Sequence, residues 1–494
     1  MAGSSFKQTP IRFGTDGWRA VIAEGYTFAN LERVAQAYAD YVLQQAAQQL
    51  RSDAQTKAQS AVVIGNSSPL IIVGYDRRFH SDRFAKRAAE VLAGNNLRVA
   101  LFDEPVPTPL VSWAVREQKA AGGVVITASH NPPEFNGFKI KAAWGGSAAP
   151  ETTRAVEILI DAHAARRSDL TADENRPMLQ SSVESYRAQI ASYVDLERLR
   201  ATNARVVIDP MHGAGGRWVE SFLAGGTLET ETIRAERDLL FGGVAPEPID
   251  RNLAPLKNRV KETGALAGLA TDGDADRVGA VNELGETMTM HEVVPLLLLH
   301  LARHRGQTGG VVRTFSQSVL TKRIAAAHNL KLYDTPIGFK YIADLMLKED
   351  ILIGAEESGG IGVRGHIPER DGILNSLLLL EAIISAGKSP SEMVREMHRE
   401  FGEFYFGRKD LHLEVSRGQS FVAALASKPP VEVAGDTVQT VETLDGTKLL
   451  FDDESWLLFR QSGTEPALRI YSEATSIAKM NSLLNEGERL AFNQ

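Results

Sequence analysis

The sequence predicts an α/β protein of several domains, with three related α/β units followed by a smaller C-terminal α+β domain. Three observations lead there. At 494 residues the chain exceeds what one ordinary core fills, and three or four domains is the expectation. Three segments share one pattern, a short β-branched run that stops at a polar, turn-prone cluster: "IIVGYDRR" (Ile71–Arg78), "VVIDPMHGAGG" (Val206–Gly216) and "VVRTFSQS" (Val311–Ser318). From about Glu403 the character changes to a series of short strands.

Each of the three runs leads into a helix-like stretch, for example Phe84–Leu97 or Val319–His328, which gives strand, polar loop, helix. Identity between the copies is low, so they hint at a repeat without proving one. Strand ends in such units are where ligand loops gather. Gln44–Leu70, rich in Gln, Ala and Ser, reads as a helix running out into a loose loop. Ala164–Gln180 is polar and charged with one proline and reads as a boundary. The expected domains are 1–178, 179–303, 304–402 and 403–494. In the tail, strands are predicted at Tyr405–Phe406, Leu411–Val415, Lys448–Phe451, Trp456–Arg460 and Ala467–Ser472, with a closing helix from Ser476.

Hydrophobic residues make up 43% and charged residues 23%, an ordinary globular composition. The net charge of −8 argues against a general nucleic-acid binder but permits a local basic pocket for an anionic small molecule. There is no cysteine, which excludes disulfides, thiol chemistry and thiolate-held metals. The opening "MAGSSFKQTP" lacks the apolar stretch of a secretory signal. The longest apolar runs, such as "SLLLLEAII" (Ser376–Ile384), are short of a membrane span. A cytoplasmic protein with neither membrane nor nucleic-acid partners is expected.

"GGVVITASHNPPEFNGFKI" (Gly122–Ile140) carries an apolar run to its end and then presents Ser129, His130 and Asn131 before a double proline. Ser129 reads either as a turn residue or as a nucleophile. A serine hydroxyl is a poor nucleophile unless it is activated or receives an already activated group. The G-x-S-x-G elbow and the Walker A loop are both absent. His130 alone is more often structural, Asn131-Pro132 is a turn signal, and Lys139 adds positive charge ten residues on.

"TDGDADRVGAV" (Thr271–Val281) sets Asp272, Asp274 and Asp276 on one tight loop. Carboxylates this close repel unless a cation neutralises them, and oxygen ligands suit Mg²⁺ or Ca²⁺. A solvated acidic turn is the plainer reading. A calcium EF-hand would use Glu283 at its twelfth position, but Arg277 stands where that loop needs glycine, and apolar runs flank it, so Mg²⁺ is the better fit. "FRQSGTEPALRIY" (Phe459–Tyr471) offers Arg460, Ser462, Gly463 and Thr464 after a strand, which suits a phosphate dianion and equally an ordinary Ser-Gly-Thr turn. "IGAEESGGIGVRGHIPERDG" (Ile353–Gly372) suits hydrogen bonding to a polyol, or is a mobile glycine loop; its G-x-G-x-x-G match opens no helix and is discarded as a dinucleotide site. In "FGTDGWRA" (Phe13–Ala20) a turn precedes Arg19, which either reaches an anion or is merely solvated. Together, a cation loop, a phosphate loop, a polyol loop and an isolated serine describe phosphoryl transfer to a sugar phosphate through a phosphoserine.

"TASHNP", "DGDADR", "EESGG" and "RQSGTEP", in this order and with "FGTDGWR" near the start, resemble the α-D-phosphohexomutases over nearly the whole chain. The resemblance implies four domains around a central cleft. It implies that Ser129 is the phosphoserine and that Asp272, Asp274 and Asp276 hold Mg²⁺, with the serine phosphate completing the site. Arg277 would bind the transferring phosphoryl group. Glu356 and Ser358 would read sugar hydroxyls, and Arg460, Ser462, Gly463 and Thr464 would clamp the non-reacting phosphate. Arg19, His130 and Lys139 would surround the serine, and Gly338–Lys340 would line the cleft with Lys340. The position where phosphoglucomutases often carry a lysine before Asp-Gly is Arg370, a poor general base, so His366 or Lys139 would have to do any acid/base work there.

"TASHNP" and "EES" look closer to glucose and mannose mutases than to phosphoglucosamine mutases. The implied activity interconverts glucose 1-phosphate and glucose 6-phosphate, with mannose phosphates also accepted. Glucose 1,6-bisphosphate serves as intermediate and activator, and the protein is a monomer or homodimer. The rivals are a glucose 1,6-bisphosphate synthase that releases the bisphosphate, a non-catalytic phosphosugar-binding protein, and a Mg²⁺-dependent phosphatase.

Overall fold

The structure is a computed structural model that describes residues 10–14, 16–56, 68–170, 175–462 and 466–492. The first unit contains β1 (Trp18–Val21), β2 (Leu70–Tyr75), β3 (Arg98–Leu101), β4 (Gly122–Ile126) and β5 (Phe135–Ala142), in the sheet order β1-β5-β4-β2-β3. Every residue of β2 and β4 is buried, as expected of strands covered by helices on both faces. One of those helices, Ser81–Gly94, turns Phe84, Ala85, Ala88, Ala89 and Leu92 inward at helical spacing.

The second unit has β6 (Arg205–Asp209), β7 (Glu229–Thr232), β8 (Ala267–Thr271), β9 (Val278–Val281) and β10 (Thr287–Met288), ordered β10-β9-β8-β6-β7. The third has β11 (Gly310–Thr314), β12 (Leu332–Thr335), β13 (Ile351–Ala355) and β14 (Ile361–Val363), ordered β12-β11-β13-β14. The three sheets repeat one plan. A leading strand (β2, β6, β11) pairs in parallel with a neighbour on each side. The second of those neighbours (β4, β8, β13) turns back through a hairpin into an antiparallel strand. The three leading strands are the three β-branched runs picked out from sequence.

The fourth domain is built differently. β15 (Tyr405–His412), β16 (Glu432–Val433), β17 (Asp436–Thr437), β18 (Thr440–Glu442), β19 (Thr447–Leu450), β20 (Trp456–Gln461) and β21 (Ala467–Ala474) pair only antiparallel, the main sheet running β15-β21-β20-β19-β18. The closing helix is Ile477–Phe492. Two of the expected strands, Tyr405–Phe406 and Leu411–Val415, are one continuous strand, β15. Its polar middle, Arg408–Asp410, looks like a break in sequence, but an edge strand carries charged side chains on its solvent side without losing its ladder. Val415 instead begins an unanticipated helix, Val415–Ser427, that buries Phe421 and Leu425.

Helix Phe28–Thr56 bears out the helical start of the Gln44–Leu70 stretch, and 57–67 lie outside the described residues. The expected division after 178 falls inside helix Arg176–Tyr193, whose Ser185 Oγ accepts a hydrogen bond from Trp113 Nε1 of the first unit (2.8 Å). The apolar run at 376–384 lies in helix Gly372–Ala386, buried along most of its length and packed with Met290–Leu299 in a core to which all four domains contribute. Among the described residues no single helix is long and apolar enough to cross a membrane.

Candidate active site

The three hairpin turns, β4–β5, β8–β9 and β13–β14, carry Ser129, the aspartates and Glu356 respectively. Three segments scattered through the sequence thus hold the same place in three copies of one plan.

The serine loop is pinned from below by "YDRR". Arg78, fully buried, donates to the carbonyls of Ser129 (2.6 Å), Asn131 (2.6 Å) and Pro132 (2.7 Å). Asp76 holds Arg78 Nε (3.1 Å) and accepts from Thr127 Oγ1 (2.6 Å), which in turn accepts from the Ser129 amide (2.8 Å). Ser129 is thereby kept at φ 53°, in the left-handed region that a serine rarely occupies. Its Oγ donates to Asp272 Oδ2 at 2.9 Å and lies 3.3 Å from His130 Nδ1. Burial, then the cations Arg277, Arg19, Lys139 and Arg78, push His130 well below its ordinary value, so its ring is neutral. Arg19 joins the same loop through Asn131 Oδ1 (2.6 Å).

Asp272, Asp274 and Asp276 are fully buried, and one carboxylate oxygen from each lies within 4.8 Å of the others. Asp272 Oδ1 accepts from the amides of Asp276 (3.0 Å) and Arg277 (3.1 Å), which closes the loop. Asp274 Oδ2 accepts from Thr108 Oγ1 (2.7 Å) and Lys139 Nζ (2.9 Å) of the first unit. Among the described residues Asp274 Oδ1 and Asp276 Oδ1 have no hydrogen-bond donor. Buried carboxylate oxygens left without donors, in an all-oxygen set, fit a hard divalent cation such as Mg²⁺. Without that charge, burial and the neighbouring Asp274 and Asp276 push Asp272 well above the usual carboxylate range.

The aspartate loop docks on the Glu356 loop by backbone pairing: the Val278 amide donates to Gly359 O (3.0 Å) and Arg277 bridges Gly360. Burial pushes Glu356 up to about 7, with Arg370 and Arg277 opposing and Glu357 and Asp276 adding. Arg370 Nη2 lies 2.9 Å from Asp276 Oδ2 and 2.7 Å from Asp16 Oδ2, while its Nη1 is 3.8 Å from Glu356 Oε2. Lys139 Nζ reaches Asp16 (3.0 Å), Asp274 (2.9 Å) and Asp276 (3.3 Å). Despite burial, those three carboxylates hold Lys139 above its usual range, so it is a fixed cation and not a base.

Four phosphoglucomutase/phosphomannomutase family profiles match in order: alpha/beta/alpha domain I at 10–167, domain II at 184–285, domain III at 290–401 and the C-terminal domain at 414–488. The chain belongs to the α-D-phosphohexomutase family. A phosphoglucomutase/phosphomannomutase of Thermococcus kodakarensis is 32% identical over 430 residues, covering 86% of this chain and 90% of the relative. A phosphoglucosamine mutase of Levilactobacillus brevis is 29% identical over 474 residues, 94% of each chain. A solved structure from Thermus thermophilus, provisionally assigned as a phosphomannomutase, superposes with TM-score 0.82 at 38% identity, covering 98% of this chain and 99% of that one.

In this phosphohexomutase the remaining predicted residues have other partners or lie outside the described residues. Ser358 is half-buried in the β13–β14 turn. Lys340 lines a separate cavity of about 280 Å³ with Arg12, Phe13, Arg154 and Glu157. Arg460 Nε donates to Asp445 Oδ2 (2.9 Å), which also accepts from the Ile337 amide (2.8 Å) and so ties the phosphate loop to the segment leading to Lys340. The Ser462 amide donates to Ala467 O (2.9 Å), and Gly463 and Thr464 lie outside the described residues. His366 is buried, bonded through Nε2 to Asp371 (2.9 Å) and stacked on Trp113 (5.6 Å). Sequence reasoning missed Asp16, Asp76, Arg78 and Thr108. Asp76 and Arg78 ended a run read only as a repeat, and Asp16 sat in a turn read only for Arg19.

Proposed function

We propose that this phosphohexomutase interconverts glucose 1-phosphate and glucose 6-phosphate, accepting mannose phosphates as well, through a phosphoserine at Ser129 and a glucose 1,6-bisphosphate intermediate. The observation that carries the reading is Ser129 Oγ, held 2.9 Å from a carboxylate of the aspartate loop by a buried hydrogen-bond network. Asp272, Asp274 and Asp276, with the serine phosphate, are the residues to hold Mg²⁺, which when bound spreads the charge of the transferring phosphoryl group. Arg277 adds a fixed cation beside it. Glu356, poised near neutrality, can accept or donate a proton at a sugar hydroxyl in either orientation of the intermediate. Arg370 stays protonated and acts as charge, not as base. The glucose and mannose preference rests on "TASHNP" and "EES", and relatives named phosphoglucosamine mutase make glucosamine 1-phosphate the necessary comparison.

The test follows phosphorylated protein, Mg²⁺ and glucose 1-phosphate by phosphorus NMR, with glucosamine 1-phosphate in parallel. Many turnovers to glucose 6-phosphate with catalytic bisphosphate are expected. One equivalent of bisphosphate followed by arrest would replace the mutase with a bisphosphate synthase, and faster turnover of the amino sugar would overturn the substrate.

A further inference from the structure

Asp16 has no part in the scheme above, yet it stands at the junction of the first three units. Its Oδ2 receives both Lys139 Nζ (3.0 Å) and Arg370 Nη2 (2.7 Å), and its Oδ1 accepts from Ser147 Oγ (2.9 Å). The local sequence is built for this approach. Gly17 has φ 103°, and a Cβ there would lie 2.8 Å from Phe138 O and 3.1 Å from Lys139 Cα, so only glycine lets the turn press against Lys139.

Lys139 and Arg370 are the same two cations that touch the aspartate loop, and each does so at an Oδ2 atom: Asp274 Oδ2 and Asp276 Oδ2 for Lys139, Asp276 Oδ2 for Arg370. Among the described residues the Oδ1 atoms of Asp274 and Asp276 meet no donor. Two protein cations beside three carboxylates compete directly with a divalent ion for the same oxygens. A fixed anion behind them gives both cations a shared partner outside the aspartate loop and holds them to one side. Although burial alone would raise it, Lys139, Arg370, Lys141 and Arg19 keep Asp16 well below the usual carboxylate range, so it is charged throughout.

We infer that Asp16 is a positioning residue for the cation loop: it holds Lys139 and Arg370 on the Oδ2 side of Asp274 and Asp276 and so leaves the Oδ1 atoms to the metal. The inference rests on reading Asp272, Asp274 and Asp276 as cation ligands. Asp16 also ties the first unit's opening turn to Arg370 of the third unit, so the same carboxylate sets the relative position of two loops that meet at the second.

The test is calorimetric titration of Mn²⁺ into the metal-stripped full chain, with no substrate present. Asp16→Asn is expected to weaken Mn²⁺ binding about tenfold, the scale of an outer partner of a metal ligand. In an Arg370→Met background, where one of the two held cations is gone, the same substitution is expected to cost less than about threefold. Equal factors in both backgrounds would reduce Asp16 to a bare charge effect and overturn the inference, as would unchanged affinity. If Asp16→Asn does not fold, Arg370→Met alone decides: freeing Asp276 Oδ2 of its guanidinium is expected to tighten Mn²⁺ binding, and weaker or equal binding overturns the inference. Failure of the unsubstituted chain to take up Mn²⁺ is a separate result that overturns the cation reading itself.

Discussion

The hairpin turns of the first three units and the fourth domain are held in unlike ways. The first three meet in a buried knot where each loop touches another unit: Ser129 to Asp272, Thr108 to Asp274, Val278 to Gly359. The fourth domain attaches through buried charged groups at its edge. Glu473 accepts from the Val319 amide (2.8 Å) and Trp456 Nε1 (3.0 Å), and Lys448 Nζ donates to Phe315 O (2.9 Å) between the rings of Phe315 and Trp456. The contrast teaches that the knot is organised by charges that compensate one another across three units, whereas the fourth domain is fastened by apolar packing of Trp456, Leu458 and Tyr471 around a few buried polar anchors.

Ser129→Ala tests the knot most severely. Turnover is expected to fall by at least about 10⁴-fold while sugar-phosphate binding persists, measured by coupled assay and calorimetry. Normal turnover would remove the serine from the mechanism. Next is the framework behind the knot. Lys141 Nζ and Glu369 form a buried pair at 2.8 Å, and against the upward push of burial Lys141 and Arg370 hold Glu369 at about 2. Lys141→Met leaves that carboxylate buried with its main partner gone, and chemical denaturation is expected to show a loss of about 3–5 kcal/mol.

The fourth domain's attachment responds to pH. Burial and then Arg313 bring Lys448 down to about 8 from its ordinary 10.5. The unfolded chain therefore binds the extra proton between those values, so the folded form is penalised below about pH 8 and relieved as pH rises towards 10.5. Relative to Lys448→Met, the parent chain is expected to gain up to about 3 kcal/mol of stability across that window. A flat difference would mean that Lys448 is not desolvated at this junction. Finally, Glu356→Gln keeps the shape of the sugar loop but removes its proton exchange near pH 7. A fall in kcat of about 10²-fold with an unchanged melting temperature is expected, and unchanged kcat would limit Glu356 to a hydrogen-bonding role.

Local signals made much of this legible. The leading strands and the serine loop declare themselves by a β-branched run that stops at polar residues, and the aspartate loop by three alternating carboxylates after the small-residue strand Ala267–Thr271. What local patterns could not convey was partnership. Arg370 reads as a missing base, yet its place is on Asp16 and Asp276. His366 reads as an acid/base candidate, and its stacking partner Trp113 is visible only in the fold. Arg408–Asp410 reads as a break in a strand that edge pairing keeps whole.

The sequence by itself determined the family, the three-unit plan with its altered tail, and the residue types that each loop presents, since residue type and spacing are properties of short segments. Only the tertiary structure decided which charges face one another. Asp16 and Arg370, 354 positions apart, come within 2.7 Å because the first and third units meet there. The energy of a buried charge depends on that neighbour, whatever its own residue type.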